Sequence, residues 1–149
     1  MTLPPGYERL LTGHAVAVAR TDVAVGIRRA LVGADGARST LHDFASRQSN
    51  ARRMQGRGAT YAVSLPEGCG RVVVRHNRHG GLFAPITGDL FLAPTRAPLE
   101  LEVSLELMRL GVPTPEVVAY VLYPPGGVFQ RSDVASREIG GGRDLAEIV

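Results

Sequence analysis

The chain has 149 residues, enough for one domain with a buried core and too few for two of ordinary size. Its formal charge is +3, its pI is about 9.6 and all 17 of its Lys-plus-Arg positions are arginine, so anionic partners are favoured: nucleotides, phosphorylated sugars, anionic lipid surfaces. Aromatic residues make up 5% and Trp is absent, which argues against a stacking platform for single-stranded nucleic acid. One cysteine excludes an internal disulfide and fits a reducing cytosol.

Hydrophobic residues make up 44%, ordinary for a globular domain, and no apolar run is long enough to span a bilayer. The opening residues lack a basic stretch ahead of an apolar one, so no secretory signal is expected. The four histidines and the single cysteine have no zinc-type spacing, and no metal ligands are expected in this chain.

Residues 1–50 read as an amino-terminal extension of strands and helices. Strands are expected over 7–11 and 14–19, the second from alternating small and branched residues. Thr21 or Asp22 can cap a helix running to Leu31, with Val23, Ile27, Ala30 and Leu31 on one face. Ser39 or Thr40 can cap a second, short helix with Leu41, Phe44 and Ala45 inward and Asp43 in its first turn.

The segment GRGATYAVSLPEGCGRVVVR, residues 56–75, carries the most information. A strand over 52–55 ends at the turn made by Gly56 and Gly58, where the backbone can approach a phosphate. Residues 60–65 return as a strand, 66–70 turn by composition, and the β-branched run Val72-Val73-Val74 ends in Arg75. A glycine turn followed by a strand that ends in a cation can cover and clamp nucleotide phosphates. Against G-x-G-x-x-G-x-V, Gly56, Gly58 and Val63 fit and Tyr61 stands at the third glycine. Arg75 takes the place of the usual lysine; its guanidinium is bulkier and binds oxygens as a fork.

Next comes a loop dense in cations and glycine. His76, Arg78 and His79 make it a candidate for an anionic substrate. Pro98 can open a helix over 98–110 with Leu101, Leu105 and Met108 at helical spacing, ended by Gly111 and the prolines at 113 and 115. A glutamate of this helix would pair with Arg75: Glu102 is the first choice and Glu100 the alternate. Strands follow over 116–123 and 128–139, then a glycine break and a helix start.

The expected fold is α+β: an antiparallel sheet of about five strands with one main packed helix, plus the amino-terminal strand and helix extension. The order of elements resembles the small lobe of a protein kinase. That lobe would span residues 51–137, with 138–149 as the hinge and the start of a second lobe. The segments GRGATY, VVVRHNRHGGL, LGVPTPEVVAY and SREIGGGRDLAEI, with LPPGYE and TLHDFA before them, resemble the 3-deoxy-D-manno-octulosonic acid (Kdo) kinases, which belong with the lipopolysaccharide kinases of Gram-negative bacteria.

The resemblance implies an ATP-dependent carbohydrate kinase acting on a Kdo-lipid A type acceptor, cytoplasmic or peripheral on the inner membrane's cytoplasmic face, with no nucleic-acid partner. It implies that Gly56, Arg57, Gly58, Ala59, Thr60 and Tyr61 cover the ATP phosphates, and that Val63 and Val73 flank the adenine. Arg75 would hold the α/β-phosphates, and Glu138, Ile139 and Gly140 would form the hinge, with backbone groups of Glu138 and Gly140 meeting the adenine edge. Such kinases keep the catalytic Asp and the Mg²⁺ ligands in the second lobe, and no such motif precedes Val149, so the chain is expected to be a truncated lobe, inactive alone. The alternative expectation is a non-catalytic, pseudokinase-like module that binds a nucleotide or another anion.

Overall fold

Seven strands pair into one antiparallel sheet among the described residues. A computed structural model describes residues 3–33, 35–54, 60–77, 96–123 and 131–138. The strands are β1 (Tyr7–Leu11), β2 (Val16–Arg20), β3 (Arg52–Met54), β4 (Thr60–Ser64), β5 (Arg71–Asn77), β6 (Val117–Tyr123) and β7 (Arg131–Arg137). The helices are α1 (Ala24–Leu31), α2 (Leu41–Arg47) and α3 (Arg96–Arg109). Sheet order is β1-β2-β6-β7-β5-β4-β3, and every pairing is antiparallel. Seven strands are therefore described where about five were expected. The difference is physical: β1 and β2 do not stand apart but extend the sheet beyond β6.

Alternation along each strand separates two faces. One face, carrying Ala17, Val63, Val72, Val74, Val121 and Ala135, packs against α1 and α2. The other, carrying Val18, Tyr120 and Val134, packs against Ala97 and Leu101 of α3. Between them, β6 is buried along both faces except at Leu122. A bulge between Val117 and Ala119 lets neighbouring residues serve different faces: Val117 joins the α3 side, and Val118 and Ala119 both join the other.

The helix ends show local chemistry at work. Neither Thr21 nor Asp22 caps α1. Its N-cap is Val23, which makes no side-chain cap bond, because Asp22 is engaged by Arg20 at 3.3 Å and Arg137 at 3.1 Å. Thr40 does cap α2, accepting from the Asp43 N–H at 3.0 Å. Helix α3 starts two residues before the expected 98 and puts Pro98 in its first turn, where no intrahelical donor is needed. It closes in a Schellman motif. Gly111, at φ +78°, donates to Met108 at 3.0 Å, and Val112 donates to Leu107 at 2.9 Å.

Gly26 in α1 is fixed by close approach. A Cβ there would lie 2.8 Å from the Pro66 carbonyl oxygen and 2.9 Å from Cys69 Sγ, so no side chain fits against the 3₁₀ turn Pro66–Gly68.

Candidate functional site

Arg75 leaves β5 on the α3 side of the sheet. It stands opposite Thr60 of β4 and Val134 of β7. Its guanidinium pairs with the Glu100 carboxylate in the first turns of α3, and the pair is only partly withdrawn from water, with side-chain exposures of 47% and 27%. Glu102, the first choice from sequence, is not the partner. Two residues along a helix is a rotation of about 200°. The helix phase that seats Ala97 and Leu101 on the sheet turns Glu100 toward β5 and leaves Glu102 exposed.

Register decides which other side chains share this face. Ala62 lies directly opposite Val73, and Ser136 lies opposite Val73 from the other side. Ala62, Val73 and Ser136 thus form a row next to Thr60 and Arg75. Val63, expected beside Val73, points the other way and is fully buried among the residues under α1 and α2. A one-residue offset in a strand transfers a side chain to the opposite face. Tyr61 is corrected for the same reason: its ring lies 5.3 Å from the His42 ring of α2, across the sheet from Arg75. Gly56, Arg57, Gly58 and Ala59 lie outside the described residues.

His76 was expected in a substrate loop. It is instead part of β5, and its Nδ1 lies 2.5 Å from Oδ1 of Asp133. Arg78 and His79 lie outside the described residues, as do Ile139 and Gly140. Glu138 is described. Its carboxylate accepts from Arg71 Nε at 2.6 Å and Arg52 Nη2 at 3.3 Å, and its N–H donates to the Arg71 carbonyl at 3.2 Å.

A second polar cluster, not singled out from sequence, sits on the face under α2. Asp133 is fully buried. Its Oδ2 accepts from the Tyr123 hydroxyl at 2.6 Å and from the His42 N–H at 2.9 Å, while its Oδ1 faces His76. The Tyr123 oxygen in turn accepts from the Leu41 N–H at 2.7 Å. Burial, with the Asp133 charge next, pushes the Tyr123 phenol far above its ordinary range, so it stays a donor. Sequence offered one signal: an acid two residues inside a strand whose next residues, Val134 and Ala135, are apolar.

The row of small and branched side chains beside a guanidinium is compatible with an adenine nucleotide, whose base needs flat apolar contact and whose phosphates need fixed positive charge. Among the described residues, no group of three or more His, Cys, Asp or Glu side chains could hold a metal ion. Among the described residues, no helix is long and apolar enough to cross a membrane.

The α+β architecture, an antiparallel sheet with a packed helix, is compatible with a small kinase-like lobe. A 3-deoxy-D-manno-octulosonic acid kinase of Vibrio parahaemolyticus serotype O3:K6 is 34% identical over 98 residues, covering 63% of this chain and 40% of that protein. The chain thus matches less than half the length of this curated relative. No family model matches, and no solved structure matches.

Proposed function

We propose that this chain is the ATP-covering lobe of a kinase-like phosphotransferase that acts on the Kdo sugar of a lipopolysaccharide precursor at the cytoplasmic face of the inner membrane. The observation that carries the reading is the Arg75–Glu100 pair, a cation of β5 held by the packed helix on the same face as Ala62 and Val73. Similarity to the Vibrio Kdo kinase supports it.

In this reading the Arg75 guanidinium takes two phosphate oxygens as a fork, and Glu100 keeps it from swinging into water. Val73, half-buried beside Arg75, offers the adenine apolar contact, and the Glu138 carbonyl accepts from its edge. Residues 56–59, ahead of Thr60, cover the phosphates. Mg²⁺ would neutralise phosphate charge when bound, held by carboxylates that the described residues do not supply.

The test is radiolabel transfer from ATP to Kdo-lipid A. It compares the 149-residue chain with the protein extended over the full length of the relative. Transfer by the extended protein alone is expected. Arg75→Ala should lower it by roughly tenfold or more, since one charge-assisted phosphate contact is worth about 1.5–3 kcal/mol. An extended protein that binds ATP without transfer would leave a non-catalytic nucleotide-binding module. Undiminished transfer by the mutant would remove Arg75 from the site.

A further inference from the structure

We propose that His76 and Asp133 are positioning residues for Arg75, forming a hydrogen-bonded tether on the opposite face of the sheet. The consequence for nucleotide binding rests on the reading of Arg75 as a phosphate clamp. The tether itself does not.

At this end of β5, Arg75 pairs with Thr60 of β4 and Val134 of β7, and the ladder with β7 continues through His76↔Asp133 and Asn77↔Ser132. Arg75 thus stands two residues before the end of β5, next to the pair that carries the tether.

His76 anchors this stretch from the other face. Successive residues of a strand point to opposite faces, so its ring leaves β5 on the side away from Arg75. There it meets a carboxylate with no freedom. Both acceptor directions toward α2 and β6 are taken on Asp133 Oδ2, by the His42 N–H at 2.9 Å and the Tyr123 hydroxyl at 2.6 Å. Oδ1 is left for His76 Nδ1, at 2.5 Å. An acceptor-only carboxylate at this distance requires the proton on Nδ1, which sets the tautomer.

A fully buried charge must keep every donor it has, because each lost donor exposes uncompensated charge to a low dielectric. The network therefore resists partial opening. It gathers the last residue of β6, the end of β5, the start of β7 and the first N–H groups of α2 around one carboxylate. His76, joined to Arg75 by one peptide bond, passes that rigidity to the guanidinium's anchor point without approaching any ligand on the other face.

The test uses the full-length protein. Solvent exchange of the Arg75 Nε–H is followed by ¹⁵N NMR, and MgATP affinity is followed by calorimetry. His76→Ala should speed the exchange and weaken MgATP binding, each by at least about threefold, the size of effect carried by coupling through one contact network. His76→Asn keeps a donor near the place of Nδ1 and should recover most of both. Its melting temperature should stay as low as that of His76→Ala, since both lose the ring. A merely structural ring would give the opposite pattern, with the two variants alike in exchange and affinity.

Unchanged Arg75 exchange in His76→Ala, or His76→Asn as loose as His76→Ala, overturns the proposal. If His76→Ala does not fold, Asp133→Asn, which cannot accept from all three donors, is read in the same way. If the wild type binds no MgATP while the exchange follows the tether, the tether stands and the clamp reading falls.

Discussion

The two faces of the sheet are put together differently. Under α1 and α2, Ile27, Leu31, Leu41, Val63, Val72, Val74, Val118 and Val121 are all essentially closed to solvent and belong to one continuous cluster. Under α3 the buried cluster is small, centred on Leu101, Tyr120 and Val134, and its helix leaves Leu99, Val103 and Met108 exposed. The first face concentrates the apolar burial that stabilises a fold. The second carries a half-exposed ion pair and a row of small side chains. Stability and candidate chemistry thus sit back to back on the same strands, and β4 and β5 serve both through alternate residues.

The largest test of that division is Ile27→Ala. Truncation at this closed site should cost about 2–5 kcal/mol by urea unfolding, against clearly less for Leu105→Ala at the partly buried edge of the α3 cluster. Equal costs would break the comparison.

Next comes the charge pair. Arg75→Ala and Glu100→Gln should each shift unfolding by no more than about 1 kcal/mol, because both partners remain partly in water. Their effect should fall on nucleotide handling instead. A loss of several kcal/mol in stability would move the pair from chemistry to structure.

Register supplies a finer test. Val63→Ala removes two methyl groups from the closed face and should cost about 1.6 kcal/mol, while MgATP affinity stays near wild type. Val73→Ala, at a half-buried position on the other face, should weaken MgATP binding. Were Val63→Ala the variant that loses nucleotide, the assignment of faces would be reversed.

The smallest expected effect is a titration. The Tyr7 hydroxyl donates to the Val117 carbonyl at 2.6 Å and ties β1 to β6. Burial, and then the Glu116 charge, push its pKa up from 10.0 to about 12. A folded-state pKa above the unfolded one makes the native state hold its proton longer. The stabilisation is complete below pH 10 and is lost as pH rises from there toward about 12. Tyr7→Phe should flatten that fall by the contribution of one proton in alkaline unfolding curves, and an identical slope would exclude Tyr7 as its source.

Much of the fold was legible because local chemistry dictates it. Gly111 followed by Pro113 and Pro115 can hardly continue a helix, and it closes α3 as expected. Thr40 three residues before Asp43 reads as a cap and acts as one. Val72-Val73-Val74 reads as strand and pairs on both sides.

What failed depended on distant partners. Glu100 and Glu102 differ only in phase, and phase was settled where α3 meets β6 and β7. Val63 and Ala62 differ by one step, and that step was fixed by the pairing of Ala62 with Val73 across the turn at 66–68. Asp133 reads from sequence as a polar position in a strand. Its partners His42, Tyr123 and His76 come from three other elements, and no local pattern joins them.

The sheet's outer strands have a consequence for how this chain meets other copies of itself. A sheet margin displays unsatisfied amides and carbonyls that invite another strand to dock, the first step toward amyloid-like stacking. Here one margin, β3, is three residues long, and two of them are arginines, Arg52 and Arg53. The other, β1, carries Glu8 and Arg9 at successive positions. A strand laid against either margin would have to accommodate these charges. Among the described residues, both margins thus carry the kind of charge that discourages an added strand.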